Sequence, residues 1–203
     1  MYIHDTTSER VVRIGQLAES FREPRGVCTT PDDKLLLVAD DQCVHVFDAR
    51  TGTPMRKIGA CGSGKTELQC AMGICLSPDG ERLFVADHHN RRVQVFRVVD
   101  GAHERTIGTY GCGGGFVGFF QPRSLHISPC GEWLFVSDHG LSCVQVMRAS
   151  NGDYMHPLCC KYGSGSRADF DSARDIWSHG NEMYVADMVK QRIHIFLLDN
   201  RAY

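Results

Sequence analysis

Four copies of one short pattern recur along the chain, and no other feature limits the fold as strongly. Each copy contains an apolar segment that ends in an aspartate: LLLVAD at Asp40, RLFVAD at Asp87, WLFVSD at Asp138 and EMYVAD at Asp187. Successive aspartates lie about 50 residues apart. A period of this length is typical of repeat architectures, in which each unit buries its apolar surface against its neighbours.

The segments around each aspartate recur as well. A strand follows it, with the sequences VHVF, VQVF, VQVM and IHIF, and this alternation of apolar and polar residues indicates a half-buried β-strand. A short apolar strand that closes in a polar turn precedes it, as in GICLSPDG. A fourth strand ends in RIG, KIG or TIG, and its fourth copy is degraded to CKYG. Four antiparallel strands in about 48 residues are typical of a β-propeller blade.

The sequence therefore predicts an all-β protein, a β-propeller with blades at approximately 10–55, 56–104, 105–155 and 156–203. Two arrangements stay open. In the first, an N-terminal outer strand that ends at Gly15 completes the last blade of a four-bladed ring. In the second, the four copies are part of a six-bladed ring, and the unclosed blades self-associate through exposed sheet faces.

One stretch, GACGSGKT at Gly59–Thr66, matches the phosphate-loop pattern G-x-x-x-x-G-K-[ST]. A working phosphate loop is followed by a helix whose N-terminal N–H groups hold the anion. Here a strand is predicted to begin at Gly73, and the stretch coincides with a joint between two repeats. The sequence therefore favours a glycine-rich joint over a nucleotide site. Each joint carries one apolar residue that is expected to pack beneath it: Phe21, Leu68, Phe119 and Phe170.

Composition limits the compartment and the kinds of partner. A net charge of −2 disfavours a protein that binds nucleic acid mainly through its electric field, so DNA is not an expected partner. The sequence has no apolar run long enough to span a membrane and no N-terminal signal region, which predicts a cytoplasmic protein without membrane contact. The ten cysteines are then expected to be thiols, mainly small buried residues, with redox sensing by Cys159 and Cys160 as the alternative.

The copy from Met72 to Gly108, MGICLSPDGERLFVADHHNRRVQVFRVVDGAHERTIG, resembles the NHL repeat, the blade of NHL-type β-propellers. The resemblance covers nearly the whole chain, and such propellers typically close with six blades. It implies that the four repeat aspartates are structural and pair with an arginine across the next turn, a pairing that Asp87–Arg92 and Asp187–Arg192 preserve. Similar propellers form the substrate-recognising end of ubiquitin ligases of the tripartite-motif type, although this sequence contains no zinc-binding RING segment.

In a propeller, the joints between blades and the turns after the repeat aspartates lie on one face, which the resemblance implies is the partner surface. The first residues of the four inner strands are predicted to meet there around the channel mouth: Arg25, Met72, Arg123 and Arg174. The turns add five more residues: His88, His89, Asn90, His139 and Lys190. Three arginines at one repeat position favour carboxylate or phosphate binding. The alternative is that each residue is a solvated turn residue or a hydrogen-bond partner between blades.

The function predicted from these observations is non-enzymatic recognition of a protein or peptide partner. An alternative is a single-stranded RNA-binding propeller, which needs a basic patch on the same face. Another is a metal-dependent propeller lyase or lactonase, in which His88, His126 and His139 would be the candidate ligands. The predicted inner strands carry no acidic cluster to complete such a site, so no metal and no cofactor are expected.

Overall fold

Four antiparallel β-sheets stand in a ring around a central cavity and form a four-blade β-propeller. The structure, a computed structural model, describes residues 21–108, 118–158 and 170–198, together with the backbone of two N-terminal strands at 2–5 and 10–13. All regular elements in these ranges are β-strands, and none of these segments is a helix with the length and hydropathy to cross a bilayer. The all-β propeller predicted from the repeat is confirmed.

The strands follow the repeat, and each blade runs outward from the cavity in chain order. The N-terminal hairpin consists of β1 (Tyr2–Asp5) and β2 (Arg10–Arg13). Blade I consists of β3 (Val27–Thr29), β4 (Leu35–Asp40), β5 (Cys43–Asp48) and β6 (Pro54–Ile58). A short parallel pair, β7 (Ala60–Cys61) and β8 (Glu67–Leu68), precedes blade II, which consists of β9 (Ala71–Leu76), β10 (Arg82–Asp87), β11 (Arg92–Arg97) and β12 (His103–Ile107). Blade III consists of β13 (Pro122–Ile127), β14 (Trp133–Asp138), β15 (Cys143–Arg148) and β16 (Tyr154–Leu158), and blade IV of β17 (Ala173–His179), β18 (Glu182–Asp187) and β19 (Arg192–Leu197).

The N-terminal strand does not complete the last blade. β2 pairs with β1, in the register Tyr2↔Arg13, and the two form a sheet of their own. Among the described strands, none lies beside β19 as a fourth strand of blade IV. The described part of the chain therefore does not show the expected completion of blade IV by the N-terminal outer strand.

Each blade has two apolar faces. We call the one toward the preceding blade its leading face and the one toward the next blade its trailing face. Strand alternation produces both, because successive side chains point to opposite sides of a sheet. Between blades II and III, Phe84, Val93 and Val95 of the trailing face form one buried cluster with Leu125 and Leu134 of the leading face. Equivalent clusters join blade I to blade II and blade III to blade IV. Burial of these faces, which contributes about 25 cal/mol per Å² of apolar surface, holds the blades together.

The trailing face of blade IV is not covered in this way. Ile193 and Ile195 of β19 are 65% and 60% exposed, whereas Val93 and Val95, at the same repeat positions of blade II, are fully buried. Trp177, on the inner strand β17, is 58% exposed. Blade IV therefore presents an apolar sheet face to solvent.

A matched pair of substitutions tests this difference between the faces. Val95→Ala is expected to lower the free energy of unfolding by about 2 kcal/mol, because buried methyl groups are lost and a cavity remains. Ile195→Ala removes more carbon but is expected to cost about 0.5 kcal/mol or less, since its side chain already lies mostly in water. Urea denaturation at low protein concentration measures both, and equal losses would show that the trailing face of blade IV is covered in solution.

Neighbouring inner strands approach closely where the sequence places glycine. A Cβ atom on Gly26 would lie 2.6 Å from the Met72 carbonyl oxygen, and one on Gly73 would lie 2.6 Å from the Arg123 carbonyl oxygen. No side chain fits at either position, so glycine permits this approach. As a result, the first residues of the inner strands come together at one end of the cavity.

Candidate functional site

The central cavity has a volume of about 1060 Å³ and is lined by the inner strands of all four blades. Arg25, Met72, Arg123 and Arg174 line it where these strands begin. We call this end of the propeller, with the inter-blade joints and the turns after the repeat aspartates, the entry face. Met72 differs from the three arginines because it is only 6% exposed and packs into the cluster between blades II and III. The structure thus brings the four residues to one cavity, and their role in partner binding stays a prediction.

Each inter-blade joint is tied to the propeller by a buried repeat aspartate. The four aspartates have exposed fractions of 3% or less, and backbone N–H groups of the joints donate hydrogen bonds to them. The donors are Arg22 and Glu23 for Asp40, Gln69 for Asp87, Phe120 and Gln121 for Asp138, and Asp171 and Ser172 for Asp187. Such bonds stabilise an ionised carboxylate inside a protein. The sequence predicted an arginine as the partner of each repeat aspartate. Hydrogen bonds from the backbone of the joint are more common, and they could not be predicted from the sequence.

Asp87 shows how one such carboxylate organises a turn and a joint together. Arg92 Nε donates to its Oδ2 at 2.7 Å, and Asn90 Nδ2 donates to both oxygens at 3.0 and 2.9 Å. Burial raises the pKa of Asp87, and the bonds from Gln69, Asn90 and Arg92 oppose that rise. Arg92 also donates to two carbonyl oxygens of the joint. Asn90, predicted for the partner surface, therefore serves the internal structure of blade II.

The pairing expected between Asp187 and Arg192 is not what the described contacts show. Arg192 Nε donates to His194 Nε2 at 3.1 Å, and the same ring nitrogen lies 3.5 Å from Asp187 Oδ2. The His194 ring packs edge-on against Phe170, with ring centroids 4.7 Å apart. This packing holds the imidazole beside the carboxylate, in the place where an arginine was expected.

Two predicted turn residues connect neighbouring blades. His88 Nδ1 lies 3.0 Å from the Pro122 carbonyl oxygen, so this nitrogen carries the proton and donates it. His139 Nδ1 lies 2.9 Å from Ser172 Oγ. Burial lowers the pKa of both histidines, and the entry-face arginines lower it further. The other predicted turn residues lie nearer the solvent: His89, which is exposed, and Lys190, whose Nζ is 3.9 Å from a carboxylate oxygen.

The phosphate-loop-like stretch Gly59–Thr66 surrounds a carboxylate of the chain itself. The Gly64 N–H donates to Glu67 Oε2 at 2.7 Å, and a Cβ atom on Gly62 would clash with the same oxygen. The strands β8 and β9 follow Lys65, with no helix between them. As the repeat predicts, the stretch is a joint, and it lacks the helix N-terminus that holds a nucleotide phosphate.

One contact has the residue types of a catalytic triad but not its geometry. Cys43 Sγ and Asp40 Oδ2 lie 3.4 and 3.3 Å from the same atom, His45 Nε2. A working triad uses one ring nitrogen for each partner, and burial raises the pKa of Cys43, which favours the unreactive thiol. Within the described ranges, no group of three His, Cys, Asp or Glu side chains could hold a metal ion. The cysteines of these ranges are free thiols, and Cys159 and Cys160 lie outside them.

Partly buried histidines predict a loss of stability in acid. Burial lowers the pKa of His126, whereas a histidine of the unfolded chain takes up its proton near pH 6.5. The free energy of unfolding is therefore expected to fall as the pH drops below about 6.5, by up to about 1.4 kcal/mol per pH unit for each such histidine. His126→Gln should flatten this dependence. Urea denaturation of the wild type and of this variant across this pH range measures the slopes, and identical slopes would contradict the assignment.

Comparison with known proteins supports the fold. No family model and no curated protein sequence matches this chain. Among solved structures, Kuenenia stuttgartiensis hydrazine synthase is similar, with a TM-score of 0.60 and 16% identity over 92% of this chain and 53% of that one. The chain therefore spans about half the length of that protein. At this identity the likeness supports the β-propeller fold and carries no information about activity.

Proposed function

We propose that the protein is a non-enzymatic recognition module that binds a protein or peptide partner across its entry face. The convergence of Arg25, Arg123 and Arg174, from three different blades, on one cavity carries this proposal. Their backbone is held by closely packed inner strands, and the adjacent joints are held by buried aspartates. A preformed surface loses little conformational freedom when a partner binds, so more of the contact energy appears as affinity.

We further infer an NHL-type propeller in a reducing, cytoplasmic setting. The repeat pattern and the Asp87–Arg92 ion pair, at 2.7 Å, support the family assignment. The free thiols of the described cysteines support the compartment. The shared His45 nitrogen and the raised pKa of Cys43 argue against nucleophilic catalysis at the one Cys–His–Asp contact discussed above.

Site-specific photocrosslinking tests the proposed function. A photoreactive amino acid replaces the exposed His89 on the entry face or, as a control, the exposed Arg50 in the turn between β5 and β6 at the opposite end of blade I. We expect a discrete protein adduct in cell extract from position 89 but not from position 50. The adduct should persist after ribonuclease treatment, in about 0.5 M salt and with a chelator, because contacts inside an interface are screened weakly.

The other outcomes separate the rival functions. Single-stranded RNA is the second candidate, favoured by the same three arginines, and it predicts crosslinks that disappear with ribonuclease and fall steeply with salt. Dependence of the adduct on a divalent metal would instead favour the lyase or lactonase alternative. Equal crosslinking from both positions would remove the entry face as the partner surface.

A further inference from the structure

Two of the three entry-face arginines have no partner within the described part of the chain. Neither Arg123 nor Arg174 forms a hydrogen bond or ion pair there, and the Nε atom of Arg174 is buried without an acceptor. Arg56 and Arg105 also bury an unpaired Nε, but each donates from Nη2 to a backbone carbonyl of the next blade. Those two are therefore engaged between blades, whereas Arg174 faces the cavity without such a bond.

Arg25 is only loosely engaged. Its Nη2 pairs with Glu23 two residues away, and the two side chains are 34% and 59% exposed. Ion pairs at such exposure contribute little, commonly below about 1 kcal/mol. An incoming carboxylate can replace Glu23 at low cost, since Glu23 then returns to water.

Three guanidinium groups lie here against two carboxylates, those of Glu23 and Asp175. Burial lowers the pKa of the Arg123 guanidinium, and the charges of Arg174 and Arg25 lower it further. Asp175 lines the same cavity, and its charge opposes part of this lowering of the Arg123 pKa, while its Oδ1 accepts a hydrogen bond from Ser124 Oγ at 2.6 Å. Like charges that are partly removed from water raise the free energy of the unbound protein, and a bound anion relieves that cost.

The amount of charge indicates the kind of anion. A nucleic acid draws its affinity from many phosphate contacts along a basic track, whereas this chain has a net charge of −2. Three guanidinium groups around one cavity match two or three carboxylates, each of which accepts a paired N–H fork. The cavity, about 1060 Å³, is of the size that holds a few side chains rather than a long strand.

We propose that the entry-face end of the cavity binds the carboxylates of an acidic peptide segment, with Arg123 and Arg174 as the main ligands and Arg25 exchanging Glu23 for the incoming group. This inference rests on the proposed recognition of a peptide at the same face and specifies its chemistry. The partner is then expected to present neighbouring Asp or Glu side chains.

Titration with defined probes tests the inference. Three probes are used: fluorescently labelled hexaglutamate, inorganic phosphate and an oligouridylate. Each probe is titrated into the wild type and into Arg123→Gln, Arg174→Gln and Arg50→Gln. Arg50 is a matched control, because it is exposed in a turn at the opposite end of blade I. Both cavity variants should fold, since neither arginine has a described partner to lose, and their urea midpoints check this.

We expect hexaglutamate to bind the wild type and Arg50→Gln with the same affinity. We expect its affinity for each cavity variant to be lower by about tenfold or more, the usual loss for one charged hydrogen-bonding group. Equal binding by all four proteins, or none by the wild type, would overturn the inference. Tighter, arginine-dependent binding of oligouridylate than of hexaglutamate would overturn it in favour of RNA. Arginine-dependent binding of phosphate alone would also overturn it. If hexaglutamate fails while the crosslink from position 89 persists, the acidic chemistry is wrong and the recognition function stands.

Discussion

Replacing Asp87 with asparagine is expected to lower the free energy of unfolding by about 3 to 5 kcal/mol. The carboxylate is fully buried and accepts hydrogen bonds from Gln69, Asn90 and Arg92. Asparagine keeps the shape but removes the charge, and its NH2 group meets donors where acceptors are needed. The partly buried Arg92 is then left without its counter-ion, and a buried charge without a partner is costly.

Asp100→Asn is the control for this loss. Asp100 pairs with Arg97 in an exposed turn, where both side chains are nearly half exposed, so this change is expected to cost far less stability than Asp87→Asn, because water screens the pair. Urea denaturation of the two variants gives the comparison. If Asp87→Asn costs no more than Asp100→Asn, the repeat aspartate is not an anchor of the joint.

The second large effect is expected at adjacent phenylalanines of one joint. Phe119 is 2% exposed and lies in the cluster between blades II and III, whereas Phe120 is 45% exposed. Phe119→Ala is expected to lower the free energy of unfolding by about 3 to 5 kcal/mol, because it leaves a cavity beneath the joint. Phe120→Ala removes mainly a contact with the Arg91 guanidinium, 4.6 Å from the ring centroid, and should cost about 1 kcal/mol.

Thermal and urea unfolding both measure this pair. Each method should show one cooperative unfolding transition. Its midpoint is expected to fall strongly in Phe119→Ala and only slightly in Phe120→Ala. Similar shifts would mean that the joint is held by its backbone bonds to Asp138 rather than by the packing of its apolar residue.

The fold could be predicted from the sequence because the same pattern of four strands occurs four times. A period-two strand between Arg92 and Arg97 is ambiguous alone, but the same strand at the same offset in four copies is not. The interpretation of Gly59–Thr66 as a joint depended on the same register, and in the structure Lys65 is followed directly by the strands β8 and β9. Repetition thus resolved the ambiguity of both the strand and the motif.

The site could be predicted only in part, because its residues come from different blades and their partners depend on three-dimensional packing. The meeting of Arg25, Arg123 and Arg174 follows from their shared repeat offset. The bond of Arg192 to His194 does not, because it depends on how one ring packs against another. Backbone donors, such as the N–H groups of the joints, could not be predicted, because every residue type except proline has a backbone N–H group.

Met72 lies where the other three blades carry arginine, and this single exception makes the charge around the entrance of the cavity asymmetric. An entrance formed by four identical blades would bind the same ligand in four equivalent orientations. With arginine on three sides and a largely buried methionine on the fourth, an anionic ligand has one preferred orientation about the axis of the propeller. Because Met72 packs between blades II and III, an arginine in its place would bury an unpaired charge, so the asymmetry of the entrance is tied to the packing of these two blades.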